Sequence, residues 1–301
     1  MDLTIQIGDK RLSNPVGVAS GTFGYGSEYE ELIDFSAIGA IYTKAVTALP
    51  RSGNDVPRMV ETPSGMLNSI GLANVGVERF CNEKMPYLSK LPCAIIPNVA
   101  GSTADEYRAV IERLESCPDV WGYEINVSCP NVKHGGMAFG ADPALVEGLV
   151  GMLRKKTPRP LIVKLTPNIT DITLAAKAAQ GGGADAISCI NTLVGMVIDV
   201  KKKGTALPGK TGGLSGPAIR PVGVAMTYAV SRAVTIPVIG IGGIMGAEDA
   251  LQYLLAGAWA VQIGTGNFVN PSIARETADG IAAFSKQENL TCIRDFHRFI
   301  P

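Results

Sequence analysis

Near-continuous apolar runs alternate with helical patterns along most of the chain. The runs are Val16–Ala19, Ala40–Val46, Ala94–Ala100, Gly122–Ser128, Leu161–Thr166, Asp185–Asn191, Pro237–Gly242 and Ala260–Gly264. Most lack the apolar–polar alternation of a half-exposed strand, which is the pattern of parallel strands covered on both faces. Ala104–Glu115 places Val110, Ile111 and Leu114 at helical spacing behind a Ser102/Thr103 cap. Pro143–Lys155 opens behind Asp142 with proline in its first turn. Asp171–Gln180 runs into Gly181–Gly183, Ala218–Arg232 follows Pro217, Ala247–Ala256 stops at Gly257, and Ser272–Phe284 follows Pro271. Eight strand-then-helix units without a break in composition predict an α/β fold, a closed (β/α)8 TIM barrel forming one domain over residues 1–301. A doubly wound sheet is the alternative architecture.

Two segments add to that repeat. Leu3–Ile7 and Arg11–Leu12 flank Gly8-Asp9-Lys10 and predict an N-terminal β-hairpin at the barrel bottom. Leu193–Gly216 is a long glycine-rich insertion after strand 6, with Val197–Val200 as an extra strand and Lys201-Lys202-Lys203 as a solvated turn. Loops of this length in compact domains often serve as lids or binding loops.

Composition narrows the function. The chain has 301 residues, 46% of them hydrophobic, enough for one large core. Lys+Arg and Asp+Glu both number 27, so there is no basic excess for general nucleic-acid binding. Met1–Asp9 is too short and polar for a signal peptide, and no apolar run approaches the ~20 residues of a membrane span. The expectation is a cytoplasmic protein. The six cysteines form no C-x-x-C pair, so neither a metal site nor an iron–sulfur cluster is expected on this chain.

In a barrel of this kind the chemistry sits at the C-terminal ends of the strands. Those ends carry Lys44, Asn98, Asn126, Lys164, and Asn191-Thr192. One buried Asn is readily a structural residue. Three Asn and two Lys converging on one mouth fit a ligand site better, because each unsatisfied polar group there costs about 1–3 kcal/mol. The turns I-G-I-G-G-I (239–244) and I-G-T-G-N (263–267) follow strands 7 and 8, where barrels place a phosphate against backbone N–H groups.

Strand 4 ends in S-C-P-N, with Pro130 stopping the ladder directly after Cys129. That aims the thiol at the mouth, where as thiolate it can act as general base or nucleophile. Cys81, Cys93, Cys117, Cys189 and Cys292 read as small core residues, and His297 as structural. His134, in the same loop as Cys129, can contact a ligand or simply cap the loop.

I-N-V-S-C-P-N-V-K-H-G-G-M-A-F-G (125–140), S-G-T-F-G-Y-G (20–26), Y-T-K-A-V-T (42–47), N-S-I-G-L-A-N (68–74), V-K-L-T-P-N (163–168) and C-I-N-T (189–192) together resemble class 1 dihydroorotate dehydrogenase. The K-H-G-G-M-A-F-G continuation resembles the class 1B catalytic subunit in particular. The resemblance runs in order from about residue 3 to residue 284. It implies an FMN-containing barrel that oxidises (S)-dihydroorotate to orotate in pyrimidine biosynthesis. Cys129 would take the C5 proton as hydride leaves C6 for flavin N5.

By the same resemblance, Ser20, Lys44, Ala45, Asn98, Asn126, Lys164, Ile190, Gly216, Gly242, Gly243, Gly264 and Thr265 would contact FMN. Lys44, Asn68, Ser69, Ile70, Gly71, Leu72, Asn126, Asn191 and Thr192 would contact the substrate. It further implies a partner subunit carrying FAD and a [2Fe–2S] cluster that passes electrons to NAD, in a heterotetramer built on a homodimer of this chain.

Three alternatives stand beside this reading. The self-sufficient, fumarate-reducing class 1A shares the S-C-P-N core. A non-redox phosphosugar lyase would use Lys164 as a Schiff base. A non-catalytic phosphate binder would leave Cys129 without a purpose. The membrane-bound class 2 enzymes use serine as base, which Cys129 argues against.

Overall fold

A computed structural model describes residues 2–128, 130–131 and 137–300, with 130, 131, 137 and 138 described by backbone only. Among these residues, eight parallel strands run as β1 (Val16–Val18), β2 (Ala40–Tyr42), β3 (Ala94–Ile96, continued by Asn98–Val99), β4 (Tyr123–Asn126), β5 (Leu161–Lys164), β6 (Ala186–Cys189), β7 (Val238–Ile241) and β8 (Ala260–Ile263). Hydrogen bonding passes from β3 through β2, β1, β8, β7, β6, β5 and β4, and returns to β3 at Asn98–Val99. Pro97 divides β3 because it has no N–H for the ladder. Its carbonyl still accepts the Glu124 N–H at 3.0 Å, so the barrel closes across it. The fold is the (β/α)8 barrel.

Every residue of β1, β2 and β4 to β8 is buried. That is why these runs are nearly continuously apolar: the barrel interior covers one face and the helices the other. Each aliphatic side chain so enclosed contributes roughly 1.5–3 kcal/mol. Helices Ala104–Leu114, Pro143–Arg154, Ile172–Gly181, Arg220–Ala233, Ala247–Leu255 and Ile273–Gln287 pack outside. Thr103, Asp142 and Asp171 cap the first three by accepting backbone N–H groups.

The structure departs from the expected repeat in identifiable places. Between β1 and β2 stand two 3-10 turns, Ser27–Tyr29 and Phe35–Ala37, where a helix belongs. Gly26 enters the first of them at φ 92°, which no regular helix accommodates. Between β2 and β3 lies a helical run not foreseen, Gly76–Arg79, Phe80–Lys84 and Met85–Leu88, with π pitch in its middle piece. The helix expected from Ala218 begins as the 3-10 turn Pro217–Ile219 and becomes α-helical only at Arg220. β2 stops at Tyr42 instead of Val46, because the chain turns out to line the mouth and Val46 only bridges Val99.

The N-terminal hairpin pairs Ile5–Ile7 with Lys10–Leu12. Ile7 faces Lys10, so the loop is Gly8-Asp9 alone and Lys10 belongs to the second strand. Lys10 Nζ donates to the Trp121 carbonyl at 2.9 Å, just ahead of β4, and Ile5, Ile7 and Leu12 are buried. The hairpin therefore closes the N-terminal end of the barrel.

At the opposite end stands an antiparallel sheet ordered Leu193–Gly195, Gly212–Ser215, Gly65–Asn68 and Met59–Thr62. It joins the insertion after β6 to the loop after β2, a pairing not foreseen. Within the insertion, Ile198–Asp199 pairs with Gly204–Thr205, a shorter strand than Val197–Val200. Lys201–Lys203 form the exposed turn between them, with Lys201 and Lys202 N–H groups donating to Asp199 Oδ1. Among the described residues no helix is long and apolar enough to cross a membrane.

Candidate active site

A cavity of about 650 Å³ opens between the C-terminal ends of the strands and the antiparallel sheet. It gathers Ser20, Lys44, Ala45, Asn98, Asn126, Lys164, Ile190, Gly216, Gly242, Gly243, Gly264 and Thr265. Asn68 to Leu72, Asn191 and Thr192 complete its wall. Cys129 and His134 lie outside the described residues; Ser128, the neighbour of Cys129 in the chain, lines the cavity. Two lysines line it, and no Asp or Glu does among the described residues. Such a lining suits an anionic ligand.

The floor is a buried polar network. Lys164, 4% exposed, points its Nζ at Ser20 Oγ (3.3 Å) and Glu124 Oε2 (3.6 Å). Glu124 is wholly enclosed and accepts from Asn98 Nδ2 (2.6 Å), Ser188 Oγ (2.9 Å) and Gln262 Nε2 (2.8 Å). Buried charge survives only when paired and hydrogen-bonded in this way. The sequence reading did not single out Glu124. Its signal was a lone carboxylate inside a strand apolar on both faces, a residue type almost never enclosed without a partner.

A second cluster sits where β4 and β6 end. Asn191 Nδ2 donates to Ser128 Oγ at 3.0 Å and reaches Asn126 Oδ1 at 3.4 Å. Asn126 Oδ1 also accepts the Ser128 N–H at 3.1 Å, and Asn191 Oδ1 accepts the Thr192 N–H at 2.8 Å. Tyr107, buried outside the barrel, donates its hydroxyl to the Asn126 carbonyl at 2.6 Å. Both amide oxygens are thus committed within the protein, which fixes the orientation of each side chain. The Cys189–Ile190 peptide beside this cluster is cis.

The roof is tied to the loop after β2. Asn54 Nδ2 donates to the Ser69 carbonyl (3.1 Å) and Ser69 Oγ (2.9 Å), and Asn68 Nδ2 donates to the Gly213 carbonyl at 3.3 Å across the sheet. Lys44 makes no ion pair among the described residues, so its ammonium is available to a ligand. Met59, Met66, Val194 and Phe268 add apolar lining that the sequence did not point to. They belong to the sheet and to the short helix after β8, which only the tertiary structure brings over the mouth.

The glycine turns lie side by side. Gly243 (φ 66°) packs so closely on the start of helix Arg220–Ala233 that an added Cβ would meet the Gly216 carbonyl at 2.6 Å and Arg220 Cβ at 2.8 Å. Backbone from the turn after β7 and from the end of the insertion therefore approaches one point at a helix N-terminus, an arrangement suited to phosphate. Thr265 Oγ1 and Ser215 Oγ, 2.7 Å apart, stand at its edge.

None of the remaining cysteines lines this cavity. Cys81, Cys117 and Cys189 are buried, as expected, whereas Cys93 and Cys292 are only partly so. Burial pushes the Cys93 and Cys189 thiols up to about 12. His297 Nε2 lies 3.0 Å from the Ala258 carbonyl, and its ring packs edge-on against Trp259. Among the described residues, no three His, Cys, Asp or Glu side chains converge as metal ligands.

Comparison with known proteins agrees with the site. The family model for dihydroorotate dehydrogenase matches residues 2–284. A protein of Geotalea daltonii named dihydroorotate dehydrogenase B (NAD(+)), catalytic subunit, is 50% identical over 294 residues, covering 98% of this chain and 96% of that protein. Proteins with the same name from Trichlorobacter lovleyi and Pelobacter propionicus are each 50% identical, over 97% and 98% of this chain and 96% and 97% of their own lengths.

Proposed function

The chain belongs to the dihydroorotate dehydrogenase family, and from that premise we propose that it oxidises (S)-dihydroorotate to orotate with FMN in the cavity above Lys164. The observation that carries this reading is the cavity lining, which among the described residues has two lysines, several fixed amides and no carboxylate.

The cavity fits FMN in size and in donor chemistry. The backbone approach at Gly216, Gly242 and Gly243 offers N–H groups to the phosphate. Lys164 and Asn98 on the barrel floor, with Ser20, Ala45, Asn126, Ile190, Gly264 and Thr265 of the same cavity, would hold the ring system. Bound FMN supplies the acceptor for the hydride lost from substrate C6.

This chain's residues position the substrate and manage its proton. Lys44 meets the carboxylate, since it has no internal partner among the described residues. Asn68, Asn126, Asn191 and Thr192 read the amide-like ring edges, with Ser69 to Leu72 covering them. Cys129, as thiolate, removes the C5 proton while the C6 hydride leaves, so the ring loses one proton and one hydride and gains a C5=C6 double bond. This role for Cys129 rests on the family resemblance. The relatives' description as the catalytic subunit of an NAD(+) enzyme supports a second subunit that carries electrons to NAD, and the family resemblance is what gives that subunit FAD and a [2Fe–2S] cluster. The Lys164 ammonium is engaged by Glu124 and Ser20, which favours this role over a free amine forming a Schiff base.

The test is the visible spectrum of the purified chain during anaerobic addition of dihydroorotate. A yellow protein that bleaches bears out the bound flavin and the first half-reaction. A yellow protein that does not bleach removes the substrate from the proposal. A protein that stays colourless after reconstitution with FMN removes the flavin.

A further inference from the structure

The two oxygens of Glu124 have different duties. Oε1 is fastened to the barrel wall by Ser188 Oγ at 2.9 Å and Gln262 Nε2 at 2.8 Å. Oε2 holds two groups that line the cavity, Asn98 Nδ2 at 2.6 Å and Lys164 Nζ at 3.6 Å. Glu124 itself does not line the cavity and is wholly enclosed. β3, β4, β5, β6 and β8 each contribute one member of this network, so the carboxylate is fixed from all sides.

From this geometry we infer that Glu124 is a positioning residue of the flavin site that sets the charge and the hydrogen-bonding polarity presented to the cofactor from the barrel floor. The inference rests on the flavin reading above. Asn98 commits one of its two N–H donors to a carboxylate, which can only accept, so the planar amide keeps its nitrogen towards Glu124 and turns its Oδ1 away from it. Lys164 is held at one place and its charge is partly neutralised from below. A reduced flavin gains negative charge, and the field of nearby fixed charges sets how readily that charge is accepted. Glu124 therefore holds the flavin potential below the value that Lys164 alone would produce.

The experiment compares the FMN-loaded parent with Glu124→Gln, which keeps the shape and one acceptor but removes the charge. Flavin content and far-ultraviolet circular dichroism are recorded first, then the two-electron midpoint potential by equilibration with indicator dyes. The expected result is one flavin per chain in both proteins and a potential raised in the variant. The expected rise corresponds to at least a tenfold change in the reduction equilibrium, about 30 mV. A purely structural role would leave the potential of the folded, loaded variant where it was. Glu124→Asp, which keeps the charge but withdraws it by one methylene, supplies a second measurement if Glu124→Gln does not fold, with a smaller rise expected. An unchanged or lowered potential in a flavin-loaded variant overturns the inference and leaves the flavin reading intact. A parent that binds no flavin overturns both.

Discussion

Lys164 Nζ lies 3.6 Å from Glu124 Oε2 in a part of the barrel where the lysine is 4% exposed and the glutamate not at all. A surface pair at this distance would be worth little. Here each charge depends on the other, because removing one partner leaves the second buried without compensation. Lys164→Met is accordingly expected to destabilise the fold by about 3–5 kcal/mol. Adding Glu124→Gln to it should recover much of that loss. Urea unfolding of the parent, the single variant and the double variant measures both; a double variant no more stable than Lys164→Met would show that the pair is not coupled.

Cys129→Ser should keep FMN and orotate binding while slowing flavin reduction at pH 7 by roughly 10²- to 10⁴-fold, the contribution of a positioned general base. A serine hydroxyl is a far weaker acid than a thiol, so the variant's rate should still be climbing at pH values where the parent has levelled off. Stopped-flow bleaching across pH decides this, and equal rates in the two proteins would remove Cys129 from the role of base.

Lys44→Ala should weaken orotate binding by roughly 10- to 100-fold, reflecting about 1.5–3 kcal/mol for a hydrogen bond to a charged group. Its ammonium has no internal ion pair among the described residues, so thermal stability should hardly change. Titration of the flavin spectrum with orotate reads the affinity directly. A large loss of stability with unaltered affinity would mean that Lys44 serves the fold instead.

Gly243→Ala should lower the flavin-to-protein ratio after dialysis. The added Cβ would meet backbone at 2.6 Å from a residue at φ 66°, so the turn has to shift away from its position against Gly216 and Arg220. Retention of full flavin content would show that this turn does not hold the phosphate.

Alkaline stability carries the mark of two thiols shielded from water, Cys93 in part and Cys189 completely. Cys93 and Cys189 titrate at about 12 in the folded protein against 9.0 for an ordinary thiol, because burial penalises the thiolate. The unfolded chain releases these protons first, so the stabilisation is complete below pH 9 and falls as pH rises towards 12. Urea midpoints between pH 8 and pH 11 should decline less steeply in Cys189→Ala than in the parent, whatever the variant's absolute stability.

Much of this was legible along the chain. Near-continuous apolar runs such as the one ending at Lys164 fit strands covered on both sides, and eight strand-then-helix units pointed to the barrel ahead of a doubly wound sheet. Strand ends are local features, and Lys44, Asn98, Asn126, Lys164 and Asn191 stood out as polar residues where apolar ones were due. The hairpin followed for the same reason, although pairing moved Lys10 from its turn into its second strand.

What lay beyond the sequence were partnerships between distant segments. The sheet over the mouth pairs Leu67 with Leu214, and neither stretch alone states that it has a partner. Glu124 stood in the sequence as one charge in an apolar strand. Only barrel closure brought Asn98, Lys164, Ser188 and Gln262 to its two oxygens. Periodicity reports which face of an element is buried, a property each residue carries by itself. Which buried polar groups meet is set by strand register around the barrel, and register is a property of the closed sheet as a whole.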